Sequence, residues 1–177
     1  MAKTVFFPQD LVSLAERVIA ENKAAGRKIA LAESCTGGLV CAALTEIPGS
    51  SSVLDRGFVT YSNESKQELL DVQADIIDAF GAVSPATAWA MAQGAIRHSG
   101  ADVAVAVSGI AGPEGGTELK PVGTVVFALA IRGEEDVNTE QKIIEGANRA
   151  EIRHQAALVA LEMLLPSSDL SSILSRT

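Results

Sequence analysis

Lys28-Ile29-Ala30-Leu31-Ala32-Glu33-Ser34-Cys35-Thr36-Gly37-Gly38-Leu39-Val40 is the stretch on which the fold turns. A short apolar run after the helix stop at Gly26 reads as a buried strand. The polar, glycine-bearing turn from Glu33 to Gly38 then opens a helix whose apolar face is Leu39, Val40, Ala43 and Leu44 and which ends near Pro48. A strand that feeds directly into a helix is the unit of an α/β sheet, and ligands of such sheets collect at the carboxyl ends of strands.

The same alternation continues on both sides. Before it, Leu11, Leu14, Ala15, Val18 and Ile19 recur at helical spacing between Pro8 and Gly26. After it come a Gly49–Ser52 loop, a β-branched and aromatic strand from Val53 to Tyr61, and a helix from Asn63 or Glu64 that carries Lys66. A short helix over Ala74–Phe80 follows, then Ser84-Pro85 opens an alanine-rich helix that runs through Ala88–His98. Val103–Val107 is a strongly apolar strand leading into the glycine-rich stretch Ser108–Thr117. Gly123–Ile131 and Thr139–Ile144 read as two strands joined by the charged turn Gly133–Asp136, close enough for antiparallel pairing. A last helix spans Arg149–Leu165, and the serine-rich tail after Pro166 is expected to be less ordered or to dock on a neighbour. The expectation is a single domain over residues 1–177, an α/β fold built as a three-layer α/β/α sandwich with a mixed, mostly parallel sheet.

Composition narrows the classes of function. Fourteen Lys and Arg against twenty-two Asp and Glu give a net charge of -8, which disfavours nucleic acid and anionic lipid as partners. The two cysteines, Cys35 and Cys41, form no CxxC pair, and a chain with 47% hydrophobic residues can fill its own core. A reducing cytoplasm fits that usage. The amino terminus lacks the apolar stretch of a signal peptide, and no run approaches the ~20 apolar residues of a membrane helix.

Several side chains carry chemistry in this pattern. Ser34, at a strand end before Thr36-Gly37-Gly38, reads as a nucleophile, an anion contact or a helix N-cap. A hydrolase elbow does not fit, because Ala32 stands where the first glycine of G-x-S-x-G belongs. Ser50, Ser51 and Ser52 are turn residues or a second source of a nucleophile. Lys66 serves as a base only where desolvation or nearby positive charge lowers its pKa from about 10.4, and is otherwise a surface lysine. Neither Ser-x-x-Lys nor Tyr-x-x-x-Lys holds here, since Asn63 is three before Lys66 and Tyr61 is five before it. Tyr61 closes its strand as a hydrogen-bond donor to a ligand or as a half-buried strand residue. Gly109, Gly112, Gly115 and Gly116 allow a phosphate-binding nest, yet the loop is neither a Walker loop nor GxGxxG. Arg149 and Arg153, one helical turn apart, suit a phosphate clamp or a solvated face. His98 and His154 stand far apart, so a metal site is not expected, and Cys35 is a small buried thiol or a thiolate near a helix start.

Read together, Ala32–Gly38, Pro48–Ser51, Arg56–Lys66, Gly81–Ser84, Ser108–Gly116 and Lys120–Thr124 closely resemble the CinA C-terminal domain family over nearly the whole chain. The resemblance implies a three-layer α/β/α fold and a nicotinamide-nucleotide amidase, releasing ammonia from nicotinamide mononucleotide with no metal or cofactor. It implies a small nucleotide as partner and leaves a homo-oligomer open. Family members fused to a larger amino-terminal domain exist, and this chain is too short to hold one. Carried over by position, the family's active-site residues fall on Ser34, Ser51, Tyr61, Lys66 and Ser108. Substrate contacts are expected from Thr36, Gly37, Ser50 and Ser108, from Gly109, Gly112, Gly115 and Gly116, and from Arg149 or Arg153. Gly146-Ala147-Asn148-Arg149 departs from the Gly-Asp-Arg expected there. The mechanism expected on this basis has Lys66 deprotonate Ser51, with Ser34 as the rival nucleophile and Tyr61 relaying protons or orienting the carboxamide. A non-catalytic module that senses a pyridine nucleotide is the alternative.

Overall fold

Strand β1 (Ile29–Glu33) is the apolar run of the opening stretch, and all five of its residues are buried. Burial on both faces requires a place inside the sheet, and the order β2-β1-β3-β4-β5 gives it one. The computed structural model describes residues 6–134 and 138–166. The tail expected after Pro166 and part of the turn expected at Gly133–Asp136 lie outside those residues.

In chain order the elements are α1 (Gln9–Ala24), β1, α2 (Leu39–Thr45), a 3-10 turn (Ser50–Ser52), β2 (Leu54–Val59), α3 (Asn63–Leu70), α4 (Ala74–Phe80) and α5 (Pro85–Arg97). They continue with β3 (Val103–Gly109), β4 (Thr124–Ile131), β5 (Asn138–Ile143) and α6 (Arg149–Met163). β1 pairs in parallel with β2 and with β3, while β3–β4 and β4–β5 are antiparallel. The expected mostly parallel sheet is therefore corrected to one with parallel and antiparallel pairings in equal number. The reason lies in the connections: among the described residues no helix separates β3 from β4 or β4 from β5, and a parallel return needs a crossover.

Period-two alternation divides the core by size. Ile29, Leu31, Val103, Val105, Val107 and Phe127 point to one face, where α1, α2 and α6 cover them. Ala30, Ala32, Ala104, Ala106, Ala128 and Ala130 point to the other, beneath α5 with its Ala88, Met91, Ala92 and Ala95. Small residues on both surfaces bring α5 close to the sheet and press α3 against α5. Gly94 marks the tightest point, since a Cβ there would overlap the carbonyl oxygen of Leu70.

Gly94→Ala gains about 1 kcal/mol of helix propensity. The overlap with backbone outweighs it, and a net loss of about 1–3 kcal/mol is expected in urea denaturation.

Candidate active site

Because β1, β2 and β3 run in parallel, their carboxyl ends meet at one edge, and the chain leaves that edge through three successive turns. Ser34 follows β1 and is locked to β3 by its own N–H, which donates to Val107 O at 2.9 Å. Thr60 follows β2 and donates its N–H to Glu33 O at 2.8 Å. From there Ser62 caps α3 in a reciprocal box with Ser65, each side chain accepting from the other's backbone N–H at 3.1 Å.

That cap aims Lys66 back into the protein. Its side chain is only 1% exposed. Nζ lies 3.2 Å from Ser34 Oγ, 2.9 Å from Thr60 O and 3.4 Å from Ser62 O. Burial disfavours the ammonium and holds the Lys66 pKa below its ordinary value, against weaker opposing effects of Cys35 and Glu64. Burial also pushes the Cys35 thiol up to about 11, so it stays protonated at neutral pH and is no thiolate nucleophile.

Ser34 and Lys66 sit in a cleft of about 300 Å³. Tyr61, Asn63, Ser108 and Arg149 also line it, with Gly109, Gly112 and Gly115 from the glycine-rich loop. Ser108 is buried and donates from Oγ to Ala82 O at 2.9 Å, tying β3 to the loop before α5. Arg149, at the start of α6, donates to Gly112 O and to the Tyr61 hydroxyl, both at 2.7 Å, and so spans the cleft wall.

Other expected site residues stand elsewhere. Ser50 and the exposed Ser51 belong to the turn before β2, at the amino edge of the sheet, about 20 Å of strand away from the Ser34 turn. The geometry that pairs with Lys66 is thus that of Ser34, and the expected Ser51–Lys66 contact is corrected. Arg153 does not face the cleft: it donates to Cys35 O at 3.1 Å and to Thr36 O at 2.7 Å, clamping the Ser34 turn from behind. Thr36 is wholly buried and Gly37 packs near that guanidinium, while Gly116 is pressed on the backbone of Val122. None of these lines the cleft.

Glu33 is the residue that sequence reasoning missed. Although only 1% exposed, its carboxylate accepts from the N–H groups of Gly38, Val40 and Cys41 at 3.0, 3.2 and 2.8 Å. It thereby satisfies the open amino end of α2, the task that spacing suggested for Ser34. Ser34 keeps its hydroxyl for Lys66. A signal existed in the sequence, a carboxylate inside an apolar strand directly before a glycine-led helix.

Fold and site together define an α/β sandwich with a buried serine–lysine pair at the carboxyl edge of its sheet. The chain belongs to the CinA C-terminal domain family, whose model matches residues 11–167. It is 46% identical over 155 residues to the nicotinamide-nucleotide amidohydrolase PncC of Escherichia coli K12, covering 88% of this chain and 93% of that one. It is 53% identical over 139 residues to a CinA-like protein of Syntrophotalea carbinolica, covering 78% of this chain but only 33% of the relative, so it spans about a third of that longer protein. The crystal structure of the competence/damage inducible protein CihA from Agrobacterium tumefaciens superposes with a TM-score of 0.87 at 48% identity, covering 91% of this chain and 97% of that one. Among the described residues no helix is long and apolar enough to cross a membrane.

Glu33→Gln exchanges one acceptor oxygen for an NH₂ facing backbone donors. A loss of about 2 kcal/mol is expected in urea denaturation, reflecting charge-assisted bonds removed in a dry site.

Proposed function

We propose that the chain hydrolyses the carboxamide of nicotinamide mononucleotide to nicotinate mononucleotide and ammonia, with Ser34 as nucleophile and Lys66 as its base. One observation carries this reading: a lysine amine stripped of water lies 3.2 Å from a serine hydroxyl in the wall of a cleft. A neutral amine has two N–H bonds and one lone pair. In the neutral form Thr60 O and Ser62 O take the two hydrogens, so the lone pair remains to accept from Ser34 Oγ, to which the ammonium form would donate. The names of the amidohydrolase relatives, which this chain matches over almost their whole length, support the choice of substrate.

In the reaction Ser34 Oγ bonds to the carboxamide carbon while its proton passes to Lys66 Nζ. The carbon–nitrogen bond then breaks as Lys66 returns that proton to nitrogen, and ammonia leaves an acyl group on Ser34. Water delivers a proton to Lys66 as its oxygen bonds to the acyl carbon. The ester bond breaks, Oγ recovers the proton, and the acid departs. Gly112 and Gly115 of the glycine-rich loop line the cleft, and backbone N–H groups of that loop hold the oxyanion and phosphate in this reading. Arg149 contributes the N–H donors that Gly112 and Tyr61 leave unused, and Tyr61, which lines the same cleft, serves as a proton relay in this reading. A module that only senses a nucleotide has no use for a desolvated amine against a hydroxyl.

Ser34→Ala and Lys66→Met are each expected to reduce ammonia release from nicotinamide mononucleotide about a thousandfold, and Lys66→Arg as strongly, because a guanidinium stays protonated. Ser51→Ala should remain near the wild-type rate. A Ser34→Ala protein with normal turnover would overturn the assignment.

The rate is also expected to depend on pH with a definite sign. Lys66 works as the neutral amine, so kcat rises with pH through the lowered Lys66 pKa and falls as pH drops below it. A rate that is flat or decreasing through that interval contradicts Lys66 as base.

A further inference from the structure

Asn63 begins α3, three residues before Lys66, and this spacing sets both on one helical face. Both line the cleft that holds Ser34. Asn63 is the first helical residue and is exposed, and the cap before it is closed without its side chain. Ser62 and Ser65 close it, each accepting from the other's N–H. Among the described residues the Asn63 amide makes no hydrogen bond and no other polar contact. A complete donor and acceptor pair thus stands unused at the cleft rim, one helical turn from the proposed base.

We propose that Asn63 reads the carboxamide itself and discriminates the amide substrate from the acid product; this rests on the amidase reading above. A primary carboxamide presents an N–H donor beside a C=O acceptor, and a side-chain amide is its complement. Nδ2–H donates to the substrate oxygen, and Oδ1 accepts from the substrate NH₂. The product carboxylate offers acceptors only, so one of its oxygens must face Oδ1 with no proton between them. The mismatch favours release of the acid and holds the amide with its carbon presented to Ser34. A site built to pair with a donor rejects an analogue that lacks it, because its own acceptor is left unpaired.

The test compares nicotinamide mononucleotide with nicotinate mononucleotide by calorimetric titration of Ser34→Ala protein, which binds without turning over. That protein is expected to prefer the amide. Adding Asn63→Ala should reduce the preference about tenfold, mainly through weaker amide binding, with an unchanged melting temperature showing that the fold is intact. Asn63→Asp on the same background keeps an acceptor for the NH₂ but adds charge, so it should bind the acid more weakly than Asn63→Ala does. With Ser34 restored, Asn63→Asp should also move the kcat–pH profile to higher pH, since a carboxylate near Lys66 favours the ammonium. An amide-to-acid ratio unmoved by Asn63→Ala, or acid binding equal in the two variants, overturns the inference while leaving ammonia release by the wild type, and hence the amidase reading, in place. Wild-type protein that releases no ammonia overturns both.

Discussion

Glu33 ends β1, an interior strand of the sheet, with a carboxylate that is buried and costly unless hydrogen-bonded. The open amino end of α2 presents N–H groups that are equally costly if left dry. Each satisfies the other, and the pairing fixes how the chain turns from β1 into α2. Everything at the carboxyl edge is referred to that turn. Ser34 is freed from capping, Arg153 braces the carbonyls of Cys35 and Thr36 from the α6 side, and Val107 anchors Ser34 to β3.

Lys66 is the second consequence of placing polar groups in a dry corner. Its stem runs inward from a helix whose start is set by a capping box, and its amine ends among two carbonyls and one hydroxyl. Burial there disfavours the ammonium relative to the neutral amine. A lowered Lys66 pKa thus needs no neighbouring cation. The same corner keeps the Cys35 thiol protonated, so a more acidic nucleophile does not compete with the proposed serine.

The division of the core into a large-residue face and an alanine face has a consequence for the cleft. Close packing of α5 on the alanines draws in the Gly81–Ser84 segment that precedes it, where Ala82 O meets Ser108 Oγ. Ala82 and Val83 then form cleft wall together with Ser34 and Cys35 of the turn held by Glu33. The glycine-rich loop fills the remaining side, joined to α6 through Arg149 and Gly112.

Much of this was legible in the chain alone. Alternating periodicities gave every helix and strand of the sandwich, and the ordered motifs from Ala32 to Thr124 pointed to the family, because local propensity and turn chemistry are properties of short segments. The antiparallel β4–β5 pair was legible too, but the antiparallel place of β4 beside β3 and the partners of each polar group were not, since they arise between residues far apart in sequence. Ser51 was the expected partner of Lys66 with Ser34 as its rival, and only the parallel pairing of β1 with β2 put Ser51 on the opposite edge and Lys66 against Ser34. Arg149 and Arg153 looked interchangeable one helical turn apart, yet one reaches the cleft and the other the back of the Ser34 turn. The sequence by itself determined the elements and the family; the tertiary structure decided which hydroxyl meets the lysine, because desolvation and hydrogen-bond geometry exist only once the strand ends converge.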